Sequence, residues 1–163
     1  MPTNGKGRLV TWLDDAYSME RALEHLLEQH AKDAEGHAEV HERLTRHLEE
    51  TRRQAETVKG CVEELGGSVS RPKKAFAKFF GAGQAMTNKP LQDTLVKNAI
   101  ADYAAEHFEI ASYRALIDAA EQLGEAEVAD KLRPILRQEE DMARFLEQHL
   151  PPVVHEQLGQ GAS

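Results

Sequence analysis

Four long stretches of this chain place apolar side chains three and four residues apart, and in each an acidic residue interrupts the apolar line. That spacing is the signature of an amphipathic helix with one buried stripe. A carboxylate on the stripe costs several kcal/mol unless it is protonated, paired or bound to a cation. The chain is therefore constrained twice: its helices must pack on one another, and the packing must accommodate the acids. The clearest case is residues 102–113, Asp-Tyr-Ala-Ala-Glu-His-Phe-Glu-Ile-Ala-Ser-Tyr. At about 100° per residue, Glu106 falls beside Tyr103, Ile110 and Tyr113, on or close to the core-facing stripe.

Taken in order, the first helix is expected to start near Thr11, which has the spacing of an N-cap with Asp14 as its N3 partner. Leu13, Ala16, Tyr17, Leu23, Leu27 and Ala31 form its stripe, interrupted by Glu20 and Glu24. A second helix over residues 37–65 carries His47, Glu50 and Gln54 along one edge of an apolar line, and Gly66-Gly67 ends it. Residues 68–90 read as a long connection with a short helix at 72–80, capped by Ser70 and made apolar by Phe76, Phe79 and Phe80. Such a connection can cross the length of a bundle and let helices two and three run parallel. Helix three begins near residues 88–90 and ends at Leu123-Gly124. Helix four covers residues 125–150, with a kink or short break at Pro134, Glu139 at a core position, and an end at Pro151-Pro152. Residues 153–163 read as a frayed tail. The expected fold is a single all-α four-helix bundle domain, with its core at about residues 8–150.

Charge and composition narrow the function. Acidic residues number 28 against 20 basic ones, for a net charge of -8, which argues against nucleic acid as a partner. No apolar run reaches the roughly 18 residues of a membrane span, and the apolar run after Arg8 stops at Asp14, too soon for a secretory signal peptide. The one cysteine, Cys61, excludes an internal disulfide framework, fits a reducing compartment and reads as a buried apolar residue. A soluble cytoplasmic protein is expected.

Each long helix thus offers a carboxylate on or beside its inward face: Glu20, Glu50, Glu106 and Glu139, with His47 one turn before Glu50. Four carboxylates in a low-dielectric core repel one another, and two divalent cations remove most of that cost. Oxygen donors with an imidazole suit iron or manganese better than zinc, whose structural sites favour thiolates.

Tyr17-Ser-Met-Glu20, His47-Leu-Glu-Glu50-Thr51, Glu106-His-Phe-Glu109-Ile-Ala-Ser-Tyr113 and Leu136-Arg-Gln-Glu139-Glu140 together resemble the YciE/YciF family of ferritin-like proteins. The resemblance spans roughly residues 8–150, and its Glu-His-aromatic-Glu-Ile stretch is its most specific part. It implies a ferritin-like bundle with a left-handed crossover, often dimeric, with a dinuclear metal site and an association with bacterial stress responses. Carried over by position, it makes Glu20, His47, Glu50, Glu106, Glu109 and Glu139 the candidate metal ligands, with Glu140 as a substitute. Helix two departs from the broader ferritin-like pattern, having His-x-x-Glu in reversed order. Met142 stands where helix four would carry a second histidine. Glu109 is a candidate replacement for it and His107 the rival, although His107 projects about 100° away from Glu106.

Other groups have plainer readings. Glu24 is a supporting group or an arginine partner. His25, His30, His37 and His41 scatter around two helices and read as surface histidines. One of Tyr17, Tyr103 and Tyr113 is expected to hydrogen-bond a ligand carboxylate. The alternating charges from Arg43 to Arg53 read as a solvated, salt-bridged face. The functional expectation is a homodimeric protein holding two iron or manganese ions and reacting with oxygen or peroxide, by ferroxidase or peroxide-detoxifying chemistry. The alternative is a non-catalytic interaction module whose buried glutamates pair with Arg114, Arg137 or Lys97.

Overall fold

The computed structural model describes residues 4–71 and 94–159. They form four helices, α1 (Gly5–Asp33), α2 (Ala38–Glu64), α3 (Thr94–Gln122) and α4 (Ala126–Gln157), with no strand among the described residues. The short helix expected at residues 72–80 and the expected start of helix three at 88–90 lie outside the described residues.

Two helix boundaries differ from expectation. Asn4, not Thr11, caps α1, its side-chain oxygen accepting from the Gly7 N–H at 2.8 Å. The glycines at 5 and 7 disfavour helix locally, but burial of Leu9 and Leu13 extends it through them. Thr11 lies one turn inside, its hydroxyl donating to the Gly7 carbonyl at 3.0 Å. At the other end of the chain, α4 runs without a break through Pro134, Pro151 and Pro152 to Gln157. All three prolines are exposed, and so are Asp130, Glu147 and Gln148, the residues whose carbonyls lose a helical donor. These residues lie on the solvent-facing side of α4, which limits the cost of each missing bond. Val153, placed in a frayed tail by sequence, is buried beside Leu146 and Leu27.

Helices α2 and α3 end on the same device. Gly66 at φ 83° follows α2, with its N–H on the Glu63 carbonyl and the Gly67 N–H on the Val62 carbonyl, both at 2.9 Å. Gly124 at φ 74° repeats it after α3, with bonds from Gly124 to Glu121 at 3.1 Å and from Glu125 to Ala120 at 2.9 Å. These paired bonds close the last carbonyls of a helix and require a left-handed residue.

Side-chain pairs fix the topology. Along α1 and α2, Glu24 meets Arg52 at 3.0 Å and Ala31 meets His41 at 2.7 Å, so the two are antiparallel. Helix α3 also opposes α1, since Tyr113 reaches Glu20 while Asp102 reaches His30. Helix α4 opposes both α2, through Glu156 to His37 and Gln138 to Gln54, and α3, through Glu140 to Arg114. Helices α2 and α3 are consequently parallel, as the long connection of residues 65–93 allows. That connection leaves along α1, where Ser70 donates its N–H and its hydroxyl to the Asp14 carboxylate at 2.8 and 2.7 Å.

The core is divided. One apolar cluster, with Leu9, Leu13, Val58, Val62, Leu116 and Leu132, fills the end of the bundle where α1 starts. A second, with Leu27, Leu44, Leu95, Met142 and Leu146, fills the opposite end. Between them lies a buried polar layer.

Candidate metal centre

Each helix supplies at least one member of that layer. Glu20 comes from α1, His47 and Gln54 from α2, Asp102, Glu106 and Glu109 from α3, and Glu139 from α4, all buried. Three- and four-residue spacing puts Asp102, Glu106 and Glu109 on the inward face of α3 together with Tyr113. The same face carries the apolar residues that hold α3 against its neighbours, so the acids go in with them.

One donor atom from each of His47, Glu106, Glu109 and Glu139 lies within 4.8 Å of all the others. His47 is at the centre. Its Nε2 stands 3.1 Å from Glu106 Oε1 and 3.5 Å from Glu139 Oε2, while its Nδ1 is 2.9 Å from Glu50 Oε2. Glu20 sits at the edge of the group, with its Oε1 accepting the Tyr113 hydroxyl. Gln54 donates its amide to Glu139 and to Gln138. Glu50 stands on the rim at 17% side-chain exposure, between His47 and Arg43. It orients the imidazole from the side opposite the other acids.

The six sequence candidates thus separate into an inner group of His47, Glu106, Glu109 and Glu139, with Glu20 beside it and Glu50 outside it. Between the rivals for the missing histidine, Glu109 is buried and inward, whereas His107 is exposed and packs edge-on against Tyr103 at 4.6 Å. Glu140 is also outside, paired with Arg114 at 2.7 Å. Glu24 is an arginine partner, with Arg21 at 2.7 Å and Arg52 at 3.0 Å. Of the three tyrosines, Tyr113 is the one bonded to a candidate carboxylate. Cys61 is fully buried.

Two sequence readings are corrected. His30 is not a surface histidine: it is buried, with Nδ1 2.6 Å from Asp102 Oδ1, one turn of α3 away from Glu106. Asp102, at the start of the 102–113 stretch, is a further buried acid that the apolar period does not single out. Its four-residue offset from Glu106 was the available signal. Arg43, assigned to a solvated face, is also buried and pairs with Glu50 at 3.3 Å.

Electrostatics follow from crowding. Burial raises the Glu20 carboxyl to about 8, with the Tyr113 bond and His47 opposing the shift and Glu106 adding to it. Burial pushes Glu109 well above the usual carboxylate range, reinforced by Glu139, Glu20 and Glu106. Glu139 is raised by burial and then by Glu106. For His47, burial disfavours the charged ring, but Glu106, Glu50 and Glu139 outweigh it and raise its pKa well above 6.5. A carboxylate layer of this kind holds protons when no other cation is present.

The donor set fits a divalent metal. Glu20 Oε2, Glu106 Oε2, Glu109 Oε1 and Glu139 Oε2 are buried without a hydrogen-bond partner in the protein, and His47 Nε2, although 3.1 Å from Glu106 Oε1, makes no well-aligned hydrogen bond. Buried polar atoms are nearly always satisfied, so a cluster of orphans marks a place for something else. Four carboxylates and one imidazole nitrogen are hard and borderline donors matched to iron or manganese.

The architecture and the buried layer together define a ferritin-like four-helix bundle with a carboxylate–histidine cluster at mid-height. Residues 6–159 match the family described as a domain of unknown function, DUF892. The chain is 33% identical over 134 residues to Protein YciF of Escherichia coli strain K12, covering 78% of each. Among solved structures, that of the E. coli stress protein YciF superposes with a TM-score of 0.83 at 27% identity, covering 95% of this chain and 99% of that one. A protein from Xanthomonas campestris pv. campestris gives 0.81 at 37% identity, covering 96% and 97%. The chain therefore belongs to the YciE/YciF family of ferritin-like proteins. No helix among the described residues is long and apolar enough to cross a membrane.

Proposed function

We propose that the protein is a metal-carboxylate protein of the bacterial stress response, binding two iron or manganese ions and reacting with oxygen or peroxide. The observation that carries this reading is the set of unpartnered carboxylate oxygens gathered around His47 Nε2 in a buried layer. The relative YciF is named a stress protein, which supports the physiological part of the proposal.

In this reading His47, Glu106, Glu109 and Glu139 form the inner ligand group, with Glu20 completing it from α1. Bound iron or manganese would supply one-electron redox chemistry toward an oxidant. The chain's own contribution is positional. Glu50 fixes the His47 ring through Nδ1, leaving Nε2 as the donor that faces inward. Tyr113 holds Glu20 through one oxygen and leaves the other free. Gln54 does the same for Glu139. The apolar clusters above and below exclude water, which strengthens charge interactions within the layer.

The competing module of ion-paired glutamates loses two of its proposed partners. Arg114 binds Glu140 outside the cluster, and Arg137 is exposed. Elemental analysis of purified protein tests the proposal. About two iron or manganese per chain, lost in Glu106→Ala, is expected. Protein that stays metal-free after incubation with ferrous iron, with unaltered stability, would falsify it.

A further inference from the structure

Outside the buried layer, α2 and α4 border a groove of about 430 Å³ whose walls include Arg43, Arg46, Arg144, Glu50, Asp141 and Phe145. Its charges do not balance. Arg43 pairs with Glu50 at 3.3 Å and Arg144 with Asp141 at 2.8 Å, while Arg46 makes no ion pair with any described residue. Three guanidinium groups therefore face two carboxylates, leaving one positive charge in a chain whose net charge is -8.

The groove is also partly rigid. Arg43 is 93% buried by its 7% exposure, and its guanidinium lies 5.9 Å from the centre of the Phe145 ring. A guanidinium held by a carboxylate on one side and an aromatic face on another has little orientational freedom left to lose. Arg46 stands one helical turn further along α2 and Arg144 lies on α4, so both helices contribute arginines to the lining. Planar, forked donors of this kind match the paired oxygens of phosphate or carboxylate.

We propose that the groove between α2 and α4 is a binding site for a small oxyanion, with Arg46 as the principal charge and Arg43 and Arg144 as its flanking donors. The site does not depend on metal in the buried layer. It is separated from that layer by Glu50, whose carboxylate faces the groove on one side and His47 on the other. The protein's negative net charge repels anions elsewhere, so occupancy concentrates where the local balance is positive.

Isothermal titration of the protein with inorganic phosphate, and separately with acetate, tests the site at fixed ionic strength. Saturable binding of phosphate is expected, weakened about tenfold in Arg46→Gln and unchanged in Arg137→Gln, an exposed arginine outside the groove. Acetate binding at the same site would identify a general carboxylate and phosphate receptor, and its absence would identify a phosphate-type ligand. Both Arg46 and Arg137 are exposed, so neither substitution threatens the fold. No saturable binding of either anion, full retention in Arg46→Gln, or an equal loss in Arg137→Gln overturns the proposal.

Discussion

Around Glu106, helical rotation decides which side chain enters the core. Glu109, three residues on, returns to the inward face, whereas His107 turns away to pack edge-on against Tyr103. Glu109→Gln is accordingly expected to reduce metal content to less than about half, and His107→Gln to leave it unchanged, as read by elemental analysis. Equal losses in the two variants would contradict this assignment. Glu20 carries a pH prediction. Its folded-state value is raised to about 8, above the roughly 4.3 of an unfolded glutamate. The stabilising protonated form is therefore complete below about pH 4 and lost as pH rises toward 8, so metal-free protein weakens across that range. Glu20→Gln stays neutral throughout and should flatten urea-denaturation stability against pH; an unchanged slope would refute the assignment. His30→Leu leaves Asp102 buried without its partner and is expected to cost about 3 kcal/mol in the same assay.

At the scale of the element, the helices were legible from their apolar period, and their ends less so. The Gly66-Gly67 and Leu123-Gly124 stops are local: only glycine adopts the left-handed angle cheaply, so the stop is written in the residue. Gly124→Ala is expected to lower unfolding free energy by about 1 kcal/mol, measured by urea titration, with helix content retained. The start of α1 and the run of α4 past three prolines were not legible. In both, burial of residues outside the local window, Leu9 at one end and Val153 at the other, outweighs an unfavourable local preference.

For the whole molecule, the polar layer is a destabilising insertion between two apolar cores, and a bound cation would offset it. Metal at a hundredfold excess over its dissociation constant is expected to add about 2.7 kcal/mol, seen as a rise in melting temperature that a chelator reverses. A melt that chelator does not shift would count against metal binding in the native fold.

The sequence by itself determined that four helices form, that they are long enough for a bundle, and that each carries an acid on or beside its buried stripe. Those properties depend on spacing along one helix. Only the tertiary structure decided which acids meet. The apolar period puts Glu139 at a core position and Glu50 along the edge of its helix's apolar line, but only packing brings Glu139 together with His47, Glu106 and Glu109 and sets Glu50 beside Arg43. His30 looked like one of several scattered histidines until the antiparallel register of α1 and α3 set it against Asp102. Spacing within residues 102–113 of α3 places Glu106 on or close to the core-facing stripe. The rotation and register of three other helices made that acid part of a cluster, because the distance between side chains on different helices is set by how the helices pack and not by their spacing along the chain.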